Sequence, residues 1–169
     1  MSEHIQSTGS TAKAIYGKRV EAVHCLIIPV FGAELLLPNA AVAEVVSYRE
    51  SEPAENTPEW FLGYINWRDL RVPLISFEAA TGEQAAPLQK HSRIAIFNTL
   101  NNNPQLTHFG IVTQGIPHLQ VVQEKQLTRE ETPAETRKSV LDYVQLNDEA
   151  VLVPDLDDLE RRLLKLQAG

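Results

Sequence analysis

The chain of 169 residues holds a single cysteine, Cys25, one methionine and only eight glycines. One cysteine cannot close an internal disulfide, so no oxidising compartment is implied. No stretch approaches the roughly 20 consecutive apolar residues that a membrane helix needs. The opening residues, Met1 to Gly9, are polar and lack the apolar core of a secretory signal. Positive charge is also in short supply: 15 Lys and Arg stand against 22 Asp and Glu, a formal charge of −7. That sign disfavours nonspecific attraction to nucleic acid or to an anionic membrane. The expectation is a cytoplasmic protein that binds no nucleic acid and does not insert into a membrane.

Signatures of reaction chemistry are missing too. The histidines are His4, His24, His91, His108 and His118, and no pair has the i, i+4 spacing of an HExxH helix. His24 and Cys25 are neighbours, but successive strand residues point to opposite faces and would not share a metal. There is no GxSxG elbow. Cys25 lies inside an apolar run, where a buried, inert thiol is expected. Gly9 to Lys13 lacks the spacing of a phosphate-binding loop and follows no strand. Asp155, Asp157 and Asp158 alternate as in a calcium loop but lack its glycine and terminal glutamate, and helix capping accounts for them. No catalytic residue, cofactor site or metal ligand is assigned.

What is present is a folding pattern. With 43% apolar and 22% charged residues, the chain reads as globular, either one compact domain or two small lobes sharing a core. Residues 1–20 are small and polar and suggest a flexible tail, with the domain expected over 21–166. Cys25 to Val30 and Ala33 to Leu37 read as a hairpin turning at Phe31-Gly32, followed by a Val-rich strand over Ala41 to Tyr48 and a loop to Pro58. Trp60 to Trp67 and Leu70 to Phe77 form a second apolar pair. Gly82 to His91 is a connector. Arg93 to Leu100 returns to strand, and His108 to Thr113 is expected to pair with His118 to Val122. Glu124 to Lys138 is charged and reads as a surface loop. Val140 to Leu146 and Ala150 to Val153 suggest a closing hairpin around Asn147-Asp148. Leu156, Leu159, Leu163 and Leu166 then fall on one helical face, with acidic residues in the first turn and basic ones after, as the macrodipole favours. About ten short strands and one helix predict a mainly β fold, as barrels or a sandwich.

Gly63, inside an apolar strand, predicts a bulge or a close backbone approach; Pro73 predicts an edge or bulge. These two residues belong to the most informative segment, Trp60 to Ile75. It resembles the signature of the CheW-like family, roughly G-x-x-N-x-R-G-x-x-x-P-x-x-D-L, through Gly63, Asn66, Arg68 and Pro73. Asp69 stands where a glycine is usual, and Ser76-Phe77 where Asp-Leu is common. Val42-Ala43-Glu44-Val45 is similar to the family's V-x-E-V/I strand, and Phe109 to Ile116 to its G-I-V-V-D-G-V segment. Ala150 to Pro154 before a Leu-rich helix is similar to its C-terminal end.

The resemblance implies two five-stranded SH3-like β-barrels sharing a core, about 22–80 and 90–154, closed by a C-terminal helix over 155–166. It implies a non-catalytic adaptor with two kinds of partner: the regulatory domain of a CheA-type histidine kinase, and the cytoplasmic tip of a methyl-accepting chemoreceptor. Similar proteins suggest that Glu44 and Arg68 form an ion pair near the partner-binding surface. Val42, Val45, Asn66, Trp67 and Gly115 join them as candidate partner-binding residues; in the strand, one of Val42 and Val45 is expected to face the partner and the other the core. The lost glycine and the added Arg71 point to a specialised receptor or kinase, such as those controlling type IV pili. Two alternatives stay open: a ligand-sensing barrel with a closed apolar pocket, and an enzyme with an irregular site.

Overall fold

The structure, a computed structural model, describes residues 22–131, 133 and 135–169; the tail expected over 1–20 lies outside them. Eleven strands are seen among the described residues: β1 (Ala22–Val30), β2 (Ala33–Pro38), β3 (Val42–Ser47), β4 (Phe61–Trp67), β5 (Leu70–Ile75), β6 (Arg93–Asn98), β7 (His108–Val112), β8 (His118–Gln123), β9 (Leu127–Arg129), β10 (Val140–Leu146) and β11 (Glu149–Pro154). A four-residue helix α1 (Phe77–Ala80) follows β5, and α2 (Leu156–Ala168) ends the chain. The fold is mainly β, as expected, with two sheets of six and five strands and a C-terminal helix.

The sheets do not divide at the 82–91 connector. One has the order β8-β1-β2-β11-β10-β9 and the other β3-β6-β7-β5-β4. The first hairpin therefore joins the C-terminal strands, and β7 and β8, expected to pair, lie in different sheets. The cause is a crossover: past β7 the backbone N–H of Gln114 donates to the Pro29 carbonyl at 2.8 Å, and β8 then pairs along β1 instead. The sixth strand is β9, three residues within the segment expected to be a loop. It pairs with Val144 to Leu146 and is too short to show alternation.

Hairpin chemistry follows the sequence closely. Arg68-Asp69 and Asn147-Asp148 each form two-residue loops with positive φ at both positions (48° and 61°; 50° and 68°), the form that matches strand twist. Asp and Asn tolerate this region, so Asp69 fills the place of the expected glycine without breaking the turn. Gly63 shows both features expected of it. The register shifts between Phe61 and Gly63, its φ is 120°, and a Cβ there would lie 2.2 Å from the Glu52 carbonyl oxygen. Pro73 differs from expectation, because β5 is internal, between β7 and β4. Its partner Tyr64 turns its N–H and C=O outward to Glu52 (2.9 and 2.8 Å), so the missing proline donor falls outside the β4–β5 ladder.

Three apolar clusters explain the architecture. Leu26, Ile28, Leu35, Leu37, Ala95, Phe97 and Ile111 meet Leu159 and Leu163 of α2 in a shared core. The alternate residues Cys25, Ile27 and Leu36 pack with Val122, Val144 and Val151 inside the six-stranded lobe. Ile94 and Ile96 pack with Ile65, Trp67, Val72 and Leu74 inside the five-stranded lobe. Central strands are thus buried on both faces, which is why β1 and β6 read as unbroken apolar runs. Asp155 caps α2 by accepting from the Asp158 N–H at 3.0 Å, as the acidic cluster predicts. Glu160, fully buried, accepts from the backbone N–H groups of Leu100 (2.8 Å) and Asn101 (3.1 Å), tying the turn after β6 to the helix. Cys25 is buried, and that burial raises its thiol pKa.

Candidate functional site: the closure of the five-stranded sheet

β3 and β4 are the two edges of the five-stranded sheet. In a flat sheet they would lie about 19 Å apart, four spacings of about 4.8 Å. Yet the Trp67 indole Nε1–H on β4 donates to Glu44 Oε2 on β3 at 2.5 Å. The sheet therefore curls until its edges meet side chain to side chain. Local sequence sets this up. The register shift between Val42 and Glu44 puts Glu44 opposite Ile96, on the inward face, and alternation along β4 puts Ile65 and Trp67 on that same inward face.

At this rim four side chains converge. Trp67 is 5% exposed and carries the contact from below. The Arg68 guanidinium lies over its ring, 4.7 Å from the centroid, and 3.7 Å from Glu44 Oε2. The His108 ring, first residue of β7, sits 4.9 Å from the Trp67 ring at 57°. Burial, with Arg68 as the second cause, lowers the His108 pKa below its ordinary 6.5. Glu44 thus accepts a short bond from the indole and makes a looser ion pair with Arg68. Arg68, with 66% of its side chain exposed, presents a cation to solvent on a rigid aromatic base.

The structure brings together Glu44, Trp67 and Arg68, and adds His108. Sequence reasoning left His108 among scattered histidines. Its signal was alternation: His108, Gly110 and Val112 share a face, and Gly110 lies against Ile94 and Leu74 inside the lobe. The other candidates lie elsewhere. Val42 lies opposite Phe97 and Val45 opposite Ala95, both facing the shared core. The bulge therefore sends the two valines to one side, not to opposite sides as strict alternation would. Val42 packs on the core, and Val45 remains 37% exposed. Asn66 is exposed on the opposite face from Trp67, and its carbonyl accepts from Arg49 at 2.7 Å. Arg71, on that outer face, sits 4.0 Å from the Tyr64 ring centroid and 3.9 Å from Glu52. Gly115 lies beyond the far end of β7 from His108. A Cβ there would come within 3.3 Å of Pro29 Cγ, so its backbone packs closely on the Pro29 ring.

Among the described residues no group of three or more His, Cys, Asp or Glu side chains gathers as a metal site, and no helix is long and apolar enough to cross a membrane. An open groove of about 880 Å³ lies away from the cluster, between Ala54 to Thr57, Trp60, Tyr64 and the end of α2. The five-stranded lobe is packed with its own side chains, and the apolar space of about 370 Å³ beside Cys25, Leu36 and Val122 of the six-stranded lobe is an open groove, not the closed pocket of a ligand-sensing barrel.

A curled five-stranded sheet and a six-stranded sheet fused through one core, with a C-terminal helix packed on it and a polar cluster where the first sheet closes, define a mainly β, two-sheet domain. The chain belongs to the CheW-like domain family, whose model matches residues 24–163. A solved structure, the scaffolding protein TtCheW from Thermoanaerobacter tengcongensis, is similar in fold with a TM-score of 0.66 at 20% identity, over 79% of this chain and 84% of that one. A search of curated proteins found no significant match.

Proposed function

We propose that the chain is a non-catalytic signalling adaptor in a bacterial chemosensory pathway, coupling methyl-accepting chemoreceptors to a CheA-type histidine kinase in the cytoplasm. Membership of the CheW-like family supports the scaffold role. The observation that carries it to particular residues is the Glu44–Trp67–Arg68 cluster, where an exposed guanidinium is held on a buried indole at the seam of a closed sheet. A rigid cation of this kind fits an acidic group on a partner, and pre-organisation lowers the entropy lost on binding. Such an adaptor needs no reaction centre. It holds two proteins in one geometry, so that a change in the receptor shifts the kinase's conformational balance. Arg71, which adds a cation to the outer face of the same hairpin, favours a specialised partner pair such as one controlling type IV pili.

Reconstitution tests this. The cognate receptor signalling domain and kinase are mixed with or without the chain, and kinase autophosphorylation is followed. The expected result is receptor control of the kinase only when the chain is present, lost with Arg68→Glu. Equal receptor control without the chain would overturn the reading.

A further inference from the structure

The four sheet edges are not equally protected. β3 and β4 are drawn together by Glu44 and Trp67, and the outer side of β4 is already occupied. The carbonyls of Leu62, Tyr64 and Asn66 accept from Ser51 Oγ, the Glu52 N–H and the Arg49 side chain. β9 is three residues long and carries the Arg129–Asp142 ion pair at 2.8 Å. Short, charged or covered edges are the usual defences against strand addition.

β8 has none of these. It runs six residues, His118 to Gln123, pairs only with β1, and contains no proline, bulge or formal charge. Its Gln123 N–H is bonded to the Gln126 side chain at 2.7 Å. Apart from this, no hydrogen bond forms on the outer side of its backbone among the described residues. Leu119 (65% exposed) and Val121 (50%) stand side by side on one face, opposite Leu26 and His24 of β1.

We propose that β8 is a self-pairing edge: two copies of this chain join antiparallel along it, about a two-fold axis through Gln120, extending the six-stranded sheet across the dimer. Two features select a second copy over another partner. The chain carries a formal charge of −7, so on balance like copies repel, and they do so least where charge is absent. From Ile94 to Gln123 there is no Asp, Glu, Lys or Arg, and β8 is the exposed edge of that stretch. The strand is also self-complementary. In an antiparallel pair centred on Gln120, Leu119 of each copy lies opposite Val121 of the other, on one face, while the two Gln120 amides face each other. Such an isologous contact closes on itself and leaves neither β8 edge open.

Sedimentation velocity on the full chain, from low micromolar to several hundred micromolar, tests the proposal. The expected result is a concentration-dependent monomer–dimer equilibrium. Leu119→Lys and Val121→Glu should each weaken dimerisation by about tenfold or more, through a charge set opposite an apolar side chain. The double variant L119K/V121E should recover the dimer, because each new lysine meets the other copy's glutamate. Far-UV circular dichroism confirms that the variants, both at exposed positions, remain folded. A chain that stays monomeric throughout overturns the proposal, whether residues 1–21 or some other protein cover β8 instead. So does a dimer indifferent to the single substitutions, or one that the double variant fails to restore.

Discussion

The two sheets end in opposite ways. The five-stranded sheet closes on itself, with Glu44 on one edge bonded to Trp67 on the other, and its cluster of charged and aromatic side chains sits at that seam. The six-stranded sheet leaves β8 open, with backbone and apolar side chains exposed. On the proposed reading, the contrast separates two means of recognition in one small domain. A closed seam fixes side chains in place and so suits a specific polar partner. An open edge offers backbone hydrogen bonds, which suit a strand.

The sharpest way to break the contrast is to remove the seam. Trp67→Ala deletes a buried ring together with the bond to Glu44, and should cost about 3–5 kcal/mol in urea denaturation. Leu119→Ser on the open edge, measured the same way at a protein concentration where the chain is monomeric, should change stability by no more than about 0.5 kcal/mol. Near-equal effects would mean that the two rims do not differ as described. Gly63→Ala comes next. Its new Cβ meets the Glu52 carbonyl in a left-handed backbone conformation, so a loss of about 1–3 kcal/mol is expected, with faster hydrogen exchange at the Tyr64 amide as β4 loses its cover.

Trp67→Phe isolates the indole donor. The ring stays but Glu44 loses its short bond. Because that carboxylate is partly exposed and can rehydrate, the expected cost is only about 1 kcal/mol. The smallest effect is on pH dependence. A depressed His108 pKa means that the unfolded chain takes up a proton first as pH falls below about 6.5. Stability should therefore decline from that point down to the folded-state pKa and level off beneath it. His108→Gln should flatten that part of the profile.

How much of this was legible in the chain depends on the range of the cause. Local chemistry showed through: the turns at Arg68-Asp69 and Asn147-Asp148, the Asp155 cap and the leucine face of α2 all depend on residues a few positions apart. The tight approach at Gly63 also showed through, because a glycine inside an apolar strand marks such a place even though the Glu52 carbonyl it meets belongs to a separate segment. Glu44 and Arg68 were found through a resemblance, not through any local signal. Sheet membership was hidden, because β1 is buried on both faces and its apolar run says nothing about which strands it joins. The partner of Trp67 was hidden for the same reason. A bond between two sheet edges depends on curl, and β3 and β4 are separated by a loop whose composition carries no trace of it. The bulge after Val42 reversed the facing of Val45, and a single inserted residue is invisible to a period-two reading.

The central claim is that the Arg68 side chain serves binding more than folding. Titration calorimetry of the kinase regulatory domain into the wild-type chain and Arg68→Ala, with thermal melts of both in parallel, tests it most directly. The account predicts an affinity loss of about tenfold or more, the size of a lost charged contact at an interface, with little change in melting temperature. Unchanged affinity combined with a clear drop in melting temperature would contradict it and make Arg68 a structural strap across the seam.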